Sequence, residues 1–282
     1  MSYSERALSF TCNDATLYGI VSVPQKPASR GVLIVVGGPQ YRVGSHRQFT
    51  LLARGLAAAG VPVMRFDYRG MGDSEGEATA FDNVTDDMRA AIDRFFLELP
   101  LLEDIVVWGL CDAASAALFY APTDARVSGL VLLNPWIRTD GGQARARLRH
   151  YYPARLRDRE LWQKILSGRI DYIASLRSFL HVLKDRLGSG AAPAGAAAGG
   201  SLPDRMRAHF GRFDGKVLLI MSGRDLTAAE FLDTVAASRD WQQVLASPNV
   251  TRHDLVAADH TFSRREWRDQ VTAWSRSWIA SW

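Results

Sequence analysis

The stretch Ile105-Val106-Val107-Trp108-Gly109-Leu110-Cys111-Asp112-Ala113-Ala114 constrains this chain more than any other. Its β-branched residues and tryptophan favour a buried strand, and the alanines after Asp112 favour a helix, so the backbone must turn sharply at one cysteine. Gly109 and Ala113, two residues before and two after that cysteine, are small enough for strand and helix to approach closely. A strand feeding straight into a helix is the unit of a parallel sheet with helices on its faces. The turn then lies at the C-terminal edge of the sheet, where open sheets of this kind bind ligands. Taken alone, the same pattern also suits a small buried cysteine with no chemistry.

The rest of the chain repeats the unit. Ala7 to Cys12 and Thr16 to Val23, separated by Asn13-Asp14, read as an antiparallel hairpin. Gly31 to Val36 is an apolar run that ends in Gly37-Gly38-Pro39, a buried strand opening into a tight loop. Phe49, Leu51, Leu52, Leu56 and Ala59 recur at helical spacing between Arg47 and Ala59, and Gly60 closes that helix. Val61 to Phe66, Ile105 to Trp108, Val127 to Leu133, Lys216 to Met221 and Val250 to Val256 read as further strands. Between them lie an amphipathic stretch from Phe81 to Leu99, helices over Ala113 to Tyr120 and about Ala228 to Leu245, and a last helix. That last helix carries Trp267, Val271, Trp274, Trp278 and Trp282 on one face, which reads as core packing. The fold class is therefore α/β, a mostly parallel sheet flanked by helices.

The rhythm breaks between Ile137 and Phe213. Two helix-like segments, Pro153 to Leu166 and Arg169 to Leu187, precede a Gly/Ala-rich stretch at 188–203 that reads as flexible. We expect residues 1–136 and 214–282 to form the core domain, and 137–213 to be a helical insertion in it.

Composition enters mainly by exclusion. With 282 residues, 47% hydrophobic and 23% charged, the chain can bury an ordinary globular core without staples. Cys12 and Cys111 are the only cysteines, so neither a disulfide framework nor a zinc cluster is expected, and a reducing cytoplasm is the natural location. No signal peptide is visible near Met1 to Phe10, and no run approaches the roughly 20 apolar residues of a membrane span. A formal charge of +4 is too small to imply nucleic acid, and no metal or other cofactor is expected.

A nucleophilic cysteine needs a base and a group to orient it, delivered in space by later loops. Asp225 and His260 each follow a predicted parallel strand, and the order nucleophile, acid, histidine is a known catalytic order. His46 could line the site, whereas His150, His181 and His209 fall in the insertion and His253 lies inside a strand. Asp254 and Asp259 are adjacent to His260 in sequence, but adjacency points side chains in different directions, so Asp225 is preferred. A helix N-terminus and a neighbouring imidazole would both favour the reactive sulfur anion. The oxyanion hole would combine the N–H of Asp112 with one from Gly37-Gly38-Pro39-Gln40; Pro39 has none, leaving Gln40, which we favour, or Gly38. Gly38, His46, Trp136, Arg145 and Arg149 are expected to line the substrate.

Three motifs together carry a resemblance: Gly37 to Arg47, Arg65-Phe66-Asp67-Tyr68-Arg69-Gly70-Met71-Gly72-Asp73-Ser74, and Gly109-Leu110-Cys111-Asp112-Ala113. The chain resembles the α/β-hydrolase superfamily over nearly its whole length outside the insertion. More narrowly, its first half resembles the type-one hydrolase associated with the exosortase A system, found beside bacterial exopolysaccharide genes. The resemblance implies a catalytic triad, which maps onto Cys111, Asp225 and His260, and a helical lid, which maps onto 137–213. Cysteine at the elbow is also similar to dienelactone hydrolases, although the lid and the Gly-Gly-Pro-Gln loop fit those poorly.

Sulfur in place of oxygen narrows the chemistry. A tetrahedral intermediate expels its better leaving group, so a thiolate attacking a plain alkyl ester would itself be expelled. A thioester, an activated ester or a strained lactone is the better match, the acyl-cysteine then passing to water in a hydrolase or to another acceptor in an acyltransferase or cyclase. Arg138, Arg145, Arg147, Arg149, Arg155, Arg157 and Arg159 crowd the insertion. They read as a solvated face or, on the sharper reading, as a collar for an acyl group carried by coenzyme A or an acyl carrier protein. A non-catalytic binding or scaffold protein of the same fold is the rival from another class, and homodimerisation is left open.

Overall fold

The computed structural model describes residues 2–38, 40–138 and 200–282. Among them one sheet holds β1 (Tyr3–Cys12), β2 (Ala15–Pro24), β3 (Arg30–Val35), β4 (Val63–Asp67), β5 (Asp104–Leu110), β6 (Val127–Leu133), β7 (Lys216–Arg224) and β8 (Val250–Asp259). The strand order is β1-β2-β4-β3-β5-β6-β7-β8. Pairings β1–β2 and β2–β4 are antiparallel and all the others parallel. Asn13 turns the first hairpin with φ 50°, a left-handed value that asparagine tolerates.

Alternation along the strands distributes the core between two layers. Leu33 and Val35 of β3 face one cluster, while Val32 and Ile34 face the other. Because both faces are covered, the central strands are continuous apolar runs rather than alternating ones. The first face packs against α2 (Thr85–Glu98) and α3 (Asp112–Tyr120), then α4 (Leu202–Arg212), α5 (Leu226–Ala236) and α6 (Arg239–Leu245). The second face packs against α1 (Gln48–Ala58) and α7 (Arg265–Ile279). Fully buried side chains such as Phe95, Phe231 and Phe49 each stabilise the fold by roughly 1.5–3 kcal/mol.

The fold follows the expected alternation, with instructive differences. The helix expected over about 228–245 is two helices, because the Ser238 hydroxyl accepts the Trp241 N–H at 3.4 Å and starts α6 afresh. β7 and β8 run three residues further than expected, to Arg224 and Asp259, and so carry Asp225 and His260 directly on their ends. The tryptophans of α7 serve as core: Trp278 and Val271 are buried in the second layer, and Trp274 stacks on His253 with centroids 4.5 Å apart.

Only the ends of the stretch 137–213 are described. Ile137 is buried, and α4 sends Met206 and Phe210 into the first core layer, with the Phe210 ring 6.2 Å from that of Trp241. The helical segments expected at 153–187, residues 188–199 of the Gly/Ala-rich stretch, Arg145, Arg149, His150 and His181 lie outside the described residues.

Candidate active site

The turn after β5 has the geometry that the small residues require. Cys111 caps α3 with φ 63° and ψ −126°, a conformation side chains rarely adopt and one that costs on the order of 1–3 kcal/mol. The surrounding backbone holds it there: its N–H donates to the Leu133 carbonyl at 2.9 Å, and its own carbonyl accepts from Ala114 at 3.1 Å and Trp136 at 3.2 Å. A Cβ on Gly109 would lie 2.6 Å from the carbonyl carbon of Ala113, so strand and helix backbones touch where the glycine stands. The cysteine itself is half-buried, whereas Cys12 is buried in β1.

The ends of β7 and β8 bring the other two groups to it. His260 Nδ1 lies 2.8 Å from Asp225 Oδ2. Asp225 also caps α5, its two oxygens accepting the N–H groups of Thr227 at 3.0 Å and Ala228 at 3.2 Å, so the carboxylate is fixed and almost entirely buried. Burial works against the charged imidazole, but hydrogen bonding and charge from Asp225 and Cys111 prevail, and its pKa is pushed up to about 10. A thiol, an imidazole and a fixed carboxylate in series can move a proton away from sulfur and keep the resulting positive charge in place.

The competing groups are otherwise engaged. Asp254 pairs with Arg252 at 2.6 Å, and Asp259 accepts the N–H and hydroxyl of Ser263. His209 sits on α4 with Nδ1 3.1 Å from the Phe119 carbonyl, and burial lowers its pKa. His46 is exposed, in a left-handed turn with φ 52°, and its carbonyl accepts from Arg268. Trp136 lies next to the elbow, tied to it by the hydrogen bond to Cys111 and by the Ser115 hydroxyl on its own carbonyl at 2.7 Å.

The donor expected from Gln40 is not free. Its N–H is spent on the Gly38 carbonyl at 2.8 Å, and its side-chain oxygen accepts from Ser45 at 3.1 Å. The N–H of Gly38 instead meets the Asp112 carboxylate at the elbow, at 2.9 Å. Gly38 has φ 60° and open space where a Cβ would stand. An open cleft of about 450 Å³ lies beside this loop, lined by Gln40, Tyr41 and residues Gly70 to Asp73.

One residue of the site escaped the sequence reading. Asn134, fully buried just past β6, exchanges hydrogen bonds of 2.8 Å with the N–H and hydroxyl of Ser222, and its amide nitrogen also donates to the His260 carbonyl at 3.2 Å. One amide thus joins the ends of β6 and β7 to the histidine loop. The available signal was an asparagine directly after a buried strand, a residue type suited to its φ of 43°.

Among the described residues no group of three or more His, Cys, Asp or Glu side chains could hold a metal ion, and no helix is long and apolar enough to cross a membrane. The model of the alpha/beta hydrolase family matches residues 32–274. No curated protein matches the sequence. Among solved structures, the Pyrococcus furiosus esterase Pf2001 is 18% identical with a TM-score of 0.67, the match covering 99% of this chain and 92% of that one. Est1E from Butyrivibrio proteoclasticus, solved with ferulic acid bound, is 13% identical with a TM-score of 0.61, covering 97% and 98%. A dienelactone hydrolase from Anabaena variabilis is 15% identical with a TM-score of 0.62, covering 99% and 98%. At such identities the likeness is one of fold.

Proposed function

Since this chain belongs to the alpha/beta hydrolase family, we propose that it is an acyl hydrolase working through an acyl group on Cys111. The observation that carries this reading is the half-buried sulfur at a strained elbow, beside an imidazole held 2.8 Å from a fixed carboxylate. In the first step the Cys111 thiolate forms a bond to the acyl carbon, and the carbonyl π pair moves onto oxygen. The N–H groups of Gly38 and Asp112 are the donors for that oxygen. Collapse expels the leaving group, which takes its proton from the His260 imidazolium. His260 then removes a proton from water, and attack on the thioester returns free Cys111 and a carboxylic acid. Asp225 holds the ring and offsets its charge.

The esterase and dienelactone hydrolase among the structural relatives agree with this class of reaction. A thioester, activated ester or lactone is the substrate class that a thiolate can open without being expelled first. The resemblance to the exosortase-associated hydrolases, the lid over 137–213 and an anionic carrier met by Arg145 and Arg149 belong to the same proposal. Intact mass spectrometry after exposure to a panel of thioesters, lactones and activated esters tests it. An acyl adduct is expected on Cys111, and none in Cys111→Ala; turnover persisting in that variant rejects the mechanism. A product joined to an acceptor other than water would make the enzyme an acyltransferase.

A further inference from the structure

At the elbow, neighbouring backbone N–H groups converge on one side chain. Asp112 Oδ2 accepts from Gly38 at 2.9 Å and Oδ1 from Ala113 at 3.0 Å, and the N–H of Asp112 itself bears on the same carboxylate. A Cβ on Gly37 would lie 2.1 Å from Oδ1, so the carboxylate fills a slot that a glycine leaves open. These donors include the two that the acyl-cysteine reading, on which this inference rests, assigns to the developing oxyanion. A carbonyl oxygen and a carboxylate oxygen cannot occupy the same donors, and two negative oxygens cannot sit side by side there.

We propose that the Asp112 side chain plugs the oxyanion hole of the resting enzyme, so that the substrate carbonyl must displace it before Cys111 is acylated. Burial holds the Asp112 carboxyl above its ordinary range even though backbone hydrogen bonds pull it down, so the plug stays in place against a desolvation penalty. Displacing it releases part of that penalty and exposes Gly38 N–H to the incoming oxygen. Asp112 is therefore a residue that gates acylation, distinct from the groups that carry the proton.

Two reactions of the same sulfur separate the gate from the nucleophile. Acylation by p-nitrophenyl acetate or S-acetyl-N-acetylcysteamine places charge on an oxygen in the hole. Alkylation by iodoacetamide forms a carbon–sulfur bond and expels iodide with no oxyanion. Asp112→Ala should speed acylation by about tenfold or more, equivalent to a barrier lower by about 1.4 kcal/mol. Asp112→Asn, which keeps an acceptor but loses the charge, should fall between Ala and wild type. Alkylation should stay within about threefold across all three, which also reports that each variant folds around an intact Cys111–His260 pair. Slower acylation in both variants with alkylation preserved overturns the gate and makes the carboxylate a helper. No acylation of any of the three, with alkylation intact, rejects the acyl-cysteine reading itself and the gate with it.

Discussion

Asp225 Oδ2 lies 2.8 Å from His260 Nδ1, and the same carboxylate accepts the N–H groups of Thr227 and Ala228 in the first turn of α5. Orienting the imidazole and starting a helix are thus demands made of one side chain, and substitutions can separate them.

Asparagine is as good a helix cap as aspartate but carries no charge to steady the imidazolium, and its amide favours the wrong ring tautomer. Asp225→Asn should therefore leave thermal stability close to wild type while lowering kcat/KM by about 10³–10⁴-fold. Asp225→Ala should lose the activity and in addition about 1 kcal/mol of stability. Steady-state kinetics beside denaturant titrations check both; equal stability losses in the two variants would count against the capping role.

The sign of the His260 shift sets a pH dependence. Its pKa is raised to about 10 in the folded protein, against about 6.5 for an unfolded histidine. The stabilisation it contributes is complete below about pH 6.5 and is lost progressively as pH rises through about 10. Denaturant titrations of wild type and His260→Gln between pH 6 and 10.5 should show a gap that narrows toward the alkaline end. A gap that widens with pH would contradict the ion pair.

Asn134→Ala should leave the buried N–H and hydroxyl of Ser222 without their partner and free the His260 carbonyl. A loss of about 1–3 kcal/mol is expected from denaturant unfolding, because buried polar groups left unpaired cost that much. Catalysis should fall too, chiefly in kcat, as the histidine loop loosens. Unchanged kinetics in the folded variant would limit Asn134 to a structural part.

The strain at the elbow predicts an order of stability among its variants. At φ 63°, Cys111→Gly removes a Cβ that the backbone disfavours, and should be about 1 kcal/mol more stable than Cys111→Ala, both being inactive. Gly109→Ala should be less stable than wild type, because its new methyl meets the Ala113 backbone at 2.6 Å. Paired thermal melts of the three variants decide the order.

What the sequence disclosed was whatever local pattern could express. Period-two and continuous apolar runs marked the strands, and Cys111, Asp225 and His260 follow the ends of three of them. Gly109 announced a close approach that the backbone indeed makes. What stayed hidden depends on which way a group points. Gln40 and Gly38 are two residues apart, and sequence spacing does not say whose N–H faces the elbow. Asp112 offers the sequence only a backbone N–H for the oxyanion hole, yet its side chain folds back over the Gly37-Gly38 loop. The break at Ser238 was obscured because apolar periodicity runs through a cap, and the buried face of α4 because Met206 and Phe210 follow a low-complexity stretch.

The double engagement of Asp225 also bears on when the proposed nucleophile would become reactive. Without α5 the Asp225 carboxylate would lose the two N–H groups that fix it and His260 a steady partner, so on that proposal a partly unwound chain would carry Cys111 without its oriented base. Under the acyl-cysteine proposal reactivity would wait on a helix more than a hundred residues downstream of the sulfur, and an unfinished molecule would be spared stray acylation by the same contact that equips the finished one.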